Sequence, residues 1–271
     1  MARFLTIEAE TSQLRVAEVE SNGRKSRIRH CFWLPVPQGS VEDGQIRDTQ
    51  KLGEFLRQQL FQRRIKTRKA YFVTGSTKIA SREVTIPLVK KNRIQSIIEA
   101  NATDYFPIDV SKYVLSYVIL GIENQESGQK VTQENIKKNK NMDRQYRLMV
   151  YAAPKSVSAS YLEFAESAKL SVKGITCIGD SVYQAVREEY ASGTHILVKV
   201  EMNNTSISII REGKLALQRN VNYGVDSAVE VIRSYPKFGE NLEILDALAI
   251  LRSRDCLYDS LDDHGSDGTD I

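Results

Sequence analysis

"FLTIEAETSQLRV", residues 4–16, decides the fold. Its apolar residues alternate, the run stalls on polar residues, and it resumes as an apolar strand, the pattern of a hairpin. A hairpin of this kind often grips a phosphate at its tip, where glycine is expected. Here two glutamates, Glu8 and Glu10, stand in its place. The architecture returns in "HILVKVEMNNTSISIIREGKLALQRNV", residues 195–221: apolar strand, glutamate, polar turn, apolar strand, glycine turn, third strand. Glu10 and Glu201 hold equivalent places, 201 − 10 = 191 residues apart. A strand trio recurring once at that distance points to duplication, with two α/β halves. Chance similarity between two meanders is the alternative.

Working outward, the opening strands continue through a hairpin turning at Asn22 and Gly23. A helix is expected over 49–63, with Leu52, Phe55, Leu56 and Leu60 on one face, and short strands over 69–75 and 81–87. A second helix, 91–105, sets Ile94, Ile97, Ile98, Ala102 and Tyr105 at helical spacing and ends before Pro107. Strands 111–120 and 145–154 are joined by polar residues around 125–141, read as a mobile loop. Helix 156–169, strand 172–178 and helix 180–190 follow, and two helical segments, 225–234 and 241–252, come after the second hairpin. Alternating strands and helices specify an α/β chain.

The 271 residues are 41% hydrophobic and 27% charged, with a formal charge of +4. No stretch reaches the roughly 18 to 20 apolar residues that span a bilayer, and the start runs directly into a strand, leaving no room for a signal peptide. Cys31, Cys177 and Cys256 are scattered, which suits a reducing, cytosolic protein without a disulfide framework or zinc site. The basic run Arg57, Arg63, Arg64, Lys66, Arg68 and Lys69 lacks interleaved aromatics, so it reads as a solvated helix end and turn, with no nucleic-acid partner. His30, His195 and His264 lie apart with no ligand spacing, and "VTGSTKIAS" lacks the lysine spacing of a P-loop. No catalytic set or metal site emerges, and the chain reads as a non-enzyme.

Several segments together resemble the actin-like ATPase superfamily, and within it the PilM family of type IV pilus assembly. "VEDGQIRD" resembles that family's D-G-x-I-x-D segment. "REVTIPLVKKNRIQSIIEANATDYFPIDV" resembles its R-x-I-x-x-P strand, the helix carrying Glu99, and its Tyr-Ile-Pro-Phe element. "VYAAPKSVSASYLEFAESAKLSVKGI" resembles its A-A-P-K strand–helix unit, and "TSISIIREGKLALQRNVNYGVDSAVEVI" its second phosphate hairpin with the Gly-Gly turn. The resemblance is colinear from Phe4 to about Ile232. It implies a duplicated ribonuclease-H-like fold with an inserted α/β subdomain in the first half and a shortened second half. The expected domains are 1–76, the N-terminal part of the first half; 77–154, the insert; 155–192, completion of the first half; 193–254, the second half; and 255–271, a disordered acidic tail with six aspartates after Arg254 and no Lys or Arg.

The resemblance also implies how the phosphate loops have changed. Family hairpins read Asp-x-Gly; here Glu8 and Glu10 take the Asp and Gly positions of the first, Lys199 and Glu201 those of the second. In the later Gly-Gly turn, Tyr223 replaces one glycine and Gly224 remains. Side chains in phosphate space, two of them acidic, each set against phosphate charge at a cost of roughly 1 to 4 kcal/mol at ~4 Å, imply a pseudo-ATPase with no cofactor and a cleft filled by side chains or salt bridges. An active ATPase using Lys199 and the Gly224 turn is one alternative. A two-metal nuclease built on Glu8, Glu10 and Glu201 is another. The implied partner is a PilN-like bitopic membrane protein, held by its cytoplasmic N-terminal segment, with the assembly motor ATPase and self-association as further contacts. The protein would then sit at the cytoplasmic face of the inner membrane, attached only through its partner. The expected grip is Tyr105, Phe106, Pro107 and Ile108, with helix 91–105 and strand 111–120 cradling an extended peptide.

Overall fold

Strands β1 (Ala2–Ala9), β2 (Gln13–Ser21) and β3 (Ser26–Pro35) form an antiparallel meander, and β6 (Lys69–Thr74) and β10 (Ser171–Cys177) extend it in parallel. The resulting five-stranded sheet has the order β10-β6-β1-β2-β3. The structure, a computed structural model, describes residues 1–124, 144–238 and 241–253; the loop expected around 125–141 and the tail expected at 255–271 lie outside the described residues.

Helices α1 (Thr49–Gln62) and α4 (Lys155–Ser167) pack together against Leu5, Ile7, Leu14, Val16 and Phe72 of this sheet. In α1, Leu52, Leu56 and Leu60 recur every four residues and are all buried, the spacing that lays one helix face on a core. Asp48 caps its start, accepting a hydrogen bond from the Lys51 amide at 3.2 Å. Its end is a left-handed residue, Arg64 (φ 57°), after which the Ile65 amide reaches back to the Leu60 carbonyl at 2.9 Å. Helix α4 stops in the same way through Lys169 (φ 56°), with the Leu170 amide on the Ala165 carbonyl at 2.8 Å. In both, the aliphatic residue after the turn is buried, which fixes the chain's exit. The basic run leaving α1 is exposed throughout, and Arg63 lies 4.5 Å over the Phe32 ring.

Between β6 and α4 stands the insert: β7 (Ala80–Pro87), β8 (Tyr113–Asn124) and β9 (Arg144–Pro154) in the antiparallel order β7-β9-β8. One face packs on α2 (Ile94–Ala100) and α3 (Ala102–Tyr105), with Val84, Ile86, Ile94, Ile98, Phe106 and Leu148 in its core. The helix expected over 91–105 is thus broken. A 3-10 turn precedes α2, and at Asn101 the side-chain amide bonds the Ile97 carbonyl at 2.8 Å, competing with the backbone ladder. Ahead of the insert, β4 (Val41–Glu42) and β5 (Gln45–Ile46) turn through Asp43 and Gly44, both at positive φ. Asp43 accepts from the Thr77 amide at 2.7 Å and the Gly44 carbonyl from the Thr74 hydroxyl at 3.1 Å, so this turn anchors the entrance to the insert.

Beyond α5 (Ile178–Val186), strands β11 (Thr194–Val200), β12 (Thr205–Arg211) and β13 (Lys214–Val221) make a three-stranded sheet in that order. Among the described residues no parallel strand joins it, in contrast to the mixed sheet of the first half. Helices α6 (Val225–Ser234) and α7 (Ile244–Ser253) follow, packed through Val229, Ile232 and Ala247. The described residues fall into two compact units, one drawn from Met1–Lys199 with Ser206–Val221 and the other from Val200–Thr205 with residues 222–253. This partition by contact differs from the one by repeat, which sets a boundary at 192/193.

One buried carboxylate in the first sheet is tuned by its neighbours. Glu18 is 5% exposed; its side chain meets His30 Nδ1 at 2.7 Å and accepts from the Thr67 hydroxyl. Burial works to raise its carboxyl, but the hydrogen bonds from Thr67 and His30, with the charges of His30 and Arg3, outweigh that and hold it below the ordinary glutamate range. A depressed folded-state pKa contributes stability above the unfolded pKa and loses it as pH falls through the folded one. The wild type should therefore lose on the order of 1 kcal/mol more than Glu18→Gln on acidification from neutrality to below the glutamate range. Parallel pH-dependent melting curves for the two proteins would refute this.

Candidate functional site

The first hairpin closes through the Glu10 amide, which donates to the Gln13 carbonyl at 2.9 Å. Strand register then sets Glu8 opposite Arg15. One Arg15 guanidinium nitrogen stands 3.1 Å from Glu8 Oε2 and 2.8 Å from Glu10 Oε1, and Gln13 Nε2 donates to Glu10 Oε2 at 3.0 Å. Lys199 Nζ lies 2.9 Å from Glu8 Oε1. The residues expected at equivalent places of the two hairpins, Glu8 and Lys199 (199 − 8 = 191), are therefore an ion pair. Both carboxylates are largely shielded, with side chains 17% and 8% exposed, so their pairing is energetically necessary rather than ornamental. Sequence reading missed Arg15. The signal was available: a turn at 10–13 places residues 8 and 15 across from each other.

The second hairpin repeats the closure at the same offset, the Glu201 amide donating to the Asn204 carbonyl at 2.9 Å. Glu201 is 7% exposed, and Tyr223 49%. The start of α6 is committed to this turn. The amides of Val225 and Asp226 donate to the carbonyls of Glu201 and Met202 at 2.9 and 2.8 Å, and Asn203 Nδ2 donates to Asp226 at 2.8 Å. Gly224, extended at φ −148°, donates to Ser227 Oγ at 3.2 Å. The Thr205 hydroxyl donates to the Tyr223 carbonyl at 2.7 Å. The amides of Gly224, Val225 and Asp226 at the helix start are thus engaged within this turn.

The Tyr105–Ile108 element ends α3, its chain held by Arg82, which donates to the Asp104 and Tyr105 carbonyls at 3.3 and 2.7 Å. Phe106, 4% exposed, belongs to the insert's core, whereas Tyr105 and Ile108 are half-buried and Pro107 is exposed. Burial, with the Asp104 charge, raises the Tyr105 hydroxyl above its ordinary range. Tyr105, Phe106 and Pro107 line a cleft of about 430 Å³ with Ser81, Arg82 and Arg219. A second cleft, about 490 Å³, opens between the other face of β8 and helix α4, lined by Val114, Val118, Val157, Leu162 and Ile175. Its rim is apolar and open to water: Val114 is 44% and Leu162 53% exposed. Asp180 and Thr176 contribute its polar floor. Periodicity read these residues as parts of separate elements and gave no sign that they meet.

The family described as type IV pilus assembly protein PilM matches residues 6–246. Among curated proteins none matches. Of the solved structures, a PilM–PilN type IV pilus biogenesis complex is similar at TM-score 0.73 and 20% identity, over 93% of this chain and 70% of that one. A Bacteroides thetaiotaomicron protein with an actin-like ATPase fold and unknown function aligns at TM-score 0.44 and 12% identity, covering 85% and 74% of the two chains. The cytoplasmic domain of EpsL, an inner membrane component of the Vibrio cholerae type II secretion system, aligns at TM-score 0.46 and 8% identity, covering 89% and 79%. The fold is α/β and actin-like.

Proposed function

The chain belongs to the PilM family of type IV pilus assembly proteins, and on that footing we propose that it is a binding scaffold that neither holds nor hydrolyses ATP. The observation carrying this reading is the closed ion-pair network of Glu8, Glu10, Arg15 and Lys199 in the first hairpin. A triphosphate entering there would displace both cations from their carboxylates and then face those carboxylates unpaired. The same cations stand on three of the four carboxylate oxygens of Glu8 and Glu10 that a nuclease would need for metal, which disfavours that alternative. An ATPase working through Lys199 would first have to break its pair with Glu8.

The partner in this reading is the cytoplasmic N-terminal segment of a PilN-like membrane protein, the pairing named for the similar complex. Its seat is the cleft between β8 and α4, where exposed aliphatic side chains frame a channel of peptide size with polar groups among its lining. The element Tyr105, Phe106, Pro107 and Ile108 is the second reading, favoured by its own cleft, with Tyr105 and Pro107 the accessible members. Among the described residues no helix is long and apolar enough to cross a membrane, so attachment at the cytoplasmic face of the inner membrane would run through the partner.

Calorimetric titration with a synthetic peptide of the first dozen or so residues of the organism's own PilN-like protein tests the seat. Wild type should bind it, and Leu162→Asp should weaken binding at least about 100-fold at an unchanged melting temperature, because a carboxylate would be forced into an apolar contact. Unchanged binding by Leu162→Asp together with loss in Tyr105→Ala moves the seat to the second cleft. In the same protein, 1 mM Mg·ATP should leave the melting temperature where it was. A ligand at 100 times its Kd adds about 2.7 kcal/mol, so a clear upward shift would refute the nucleotide-free reading.

A further inference from the structure

Asp180 lines the β8–α4 cleft, and one of its two carboxylate oxygens has no hydrogen-bond partner among the described residues. Asp180, in the first turn of α5, has Oδ2 3.5 Å from the Thr176 hydroxyl, while its Oδ1 is shielded from water with no hydrogen-bond partner. Two neighbouring polar side chains are engaged elsewhere: the Tyr151 hydroxyl donates to Gln218 Oε1 at 3.2 Å, and Gln218 Nε2 lies 4.0 Å from Cys177 Sγ. Burial pushes the Asp180 carboxyl above the usual carboxylate range, with hydrogen bonds from Gln184 and Thr176 pulling it partly back. Both are neutral groups and supply no charge. Among the described residues lining the cleft there is no lysine, arginine or histidine. Among the described lining residues, then, none carries a charge that would neutralise Asp180.

Resting on the reading that this cleft seats a PilN-like segment, we propose that Asp180 selects a segment carrying a lysine or arginine among aliphatic residues. The aliphatic side chains would lie against Val114, Val118 and Leu162, and the cation would pair with the half-buried Asp180 carboxylate. A charged acceptor in apolar surroundings is matched best by a charged donor, since such hydrogen bonds are roughly twice as strong as neutral ones. Cytoplasmic flanks of membrane proteins carry an excess of lysine and arginine, so the chemistry of the site suits the place from which the segment comes. Neutral amides or a backbone N–H would satisfy the hydrogen bond but leave the carboxylate's charge unbalanced.

The test is fluorescence anisotropy on the full chain with the labelled PilN-like N-terminal peptide, and with peptides in which each lysine or arginine is singly replaced by glutamine. Asp180→Asn should weaken the parent peptide about tenfold without lowering the melting temperature. One glutamine peptide should bind wild type about tenfold more weakly and lose nothing further with Asp180→Asn, the non-additivity of a direct pair. Wild-type affinity should also fall as pH drops through the carboxyl's titration, a readout that does not depend on the variant folding. Equal affinity of Asp180→Asn and wild type, with Leu162→Asp still disrupted, overturns the role of Asp180 and leaves the cleft intact. Undiminished binding by Leu162→Asp, or no binding by wild type, overturns the cleft and the role of Asp180 together.

Discussion

Replacing Gly53 with alanine is expected to lower stability by about 2 to 3 kcal/mol, against the roughly 1 kcal/mol that alanine's better helix propensity would add. For a chain of this length that is a fall in melting temperature on the order of 5 to 10 °C. Gly53 sits within α1 where it crosses α4. A Cβ there would stand 2.5 Å from Ser167 Cβ, 2.8 Å from the Phe164 carbonyl and 3.0 Å from the Ala168 amide. Two of those three atoms are backbone and cannot swing aside, so the helices must separate and open the core around Leu52, Leu56, Tyr161 and Phe164. Ser167→Gly in the same chain removes one contact of the three and should recover only part of the loss. Thermal unfolding decides the matter: a higher melting temperature in Gly53→Ala would mean the helices do not approach this closely.

The second large effect is expected at Gly224. Its added Cβ would lie 2.4 Å from the Met202 carbonyl oxygen and 2.5 Å from that of Glu201, the two groups that receive the first amides of α6. Gly224→Ala should push the helix start off the hairpin turn and weaken its unit by about 2 kcal/mol. The most direct measure is hydrogen exchange. Protection of the Val225 and Asp226 amides should collapse by about 30-fold, the factor corresponding to that energy, while the Phe72 amide in the first sheet keeps its rate. Unchanged protection at both helix-start amides would refute the close approach.

Elements with strong patterns were legible in the sequence. The helix read over 49–63 and that over 156–169 needed only a four-residue apolar repeat, and α6 falls at the residues expected. The equivalence of Glu10 and Glu201 was legible too, because a hairpin tip is a local feature and its turn bond recurs at the same offset. Less legible was the break at Asn101: apolar spacing ran straight through it, while the competing side-chain bond to Ile97 depends on a single amide. Within the candidate site, the acidic substitutions stood out, but their counter-ions did not. Arg15 and Lys199 are brought to Glu8 by strand register and by tertiary packing respectively, and only the first is encoded locally. The β8–α4 cleft was beyond reach because Val114, Leu162 and Asp180 come from three elements whose mutual placement no periodicity states.

The register of the insert has a consequence for the entropy of the chain. Ala80 and Ala152 are paired across β7 and β9, so 152 − 80 = 72 residues of sequence separation are reduced to one interstrand step. The first sheet needs that: β10 must lie against β6, and the Ile46 amide bonds the Ser160 hydroxyl 114 residues away. Closing a flexible loop of 72 residues costs about 4 kcal/mol on the (3/2)RT ln n scaling. The strand pairing of the insert bears that cost with its own contacts and hands the first sheet two chain ends already side by side. An interruption of the core's sequence is, in the currency of loop closure, the clasp that lets its two parts meet as near neighbours.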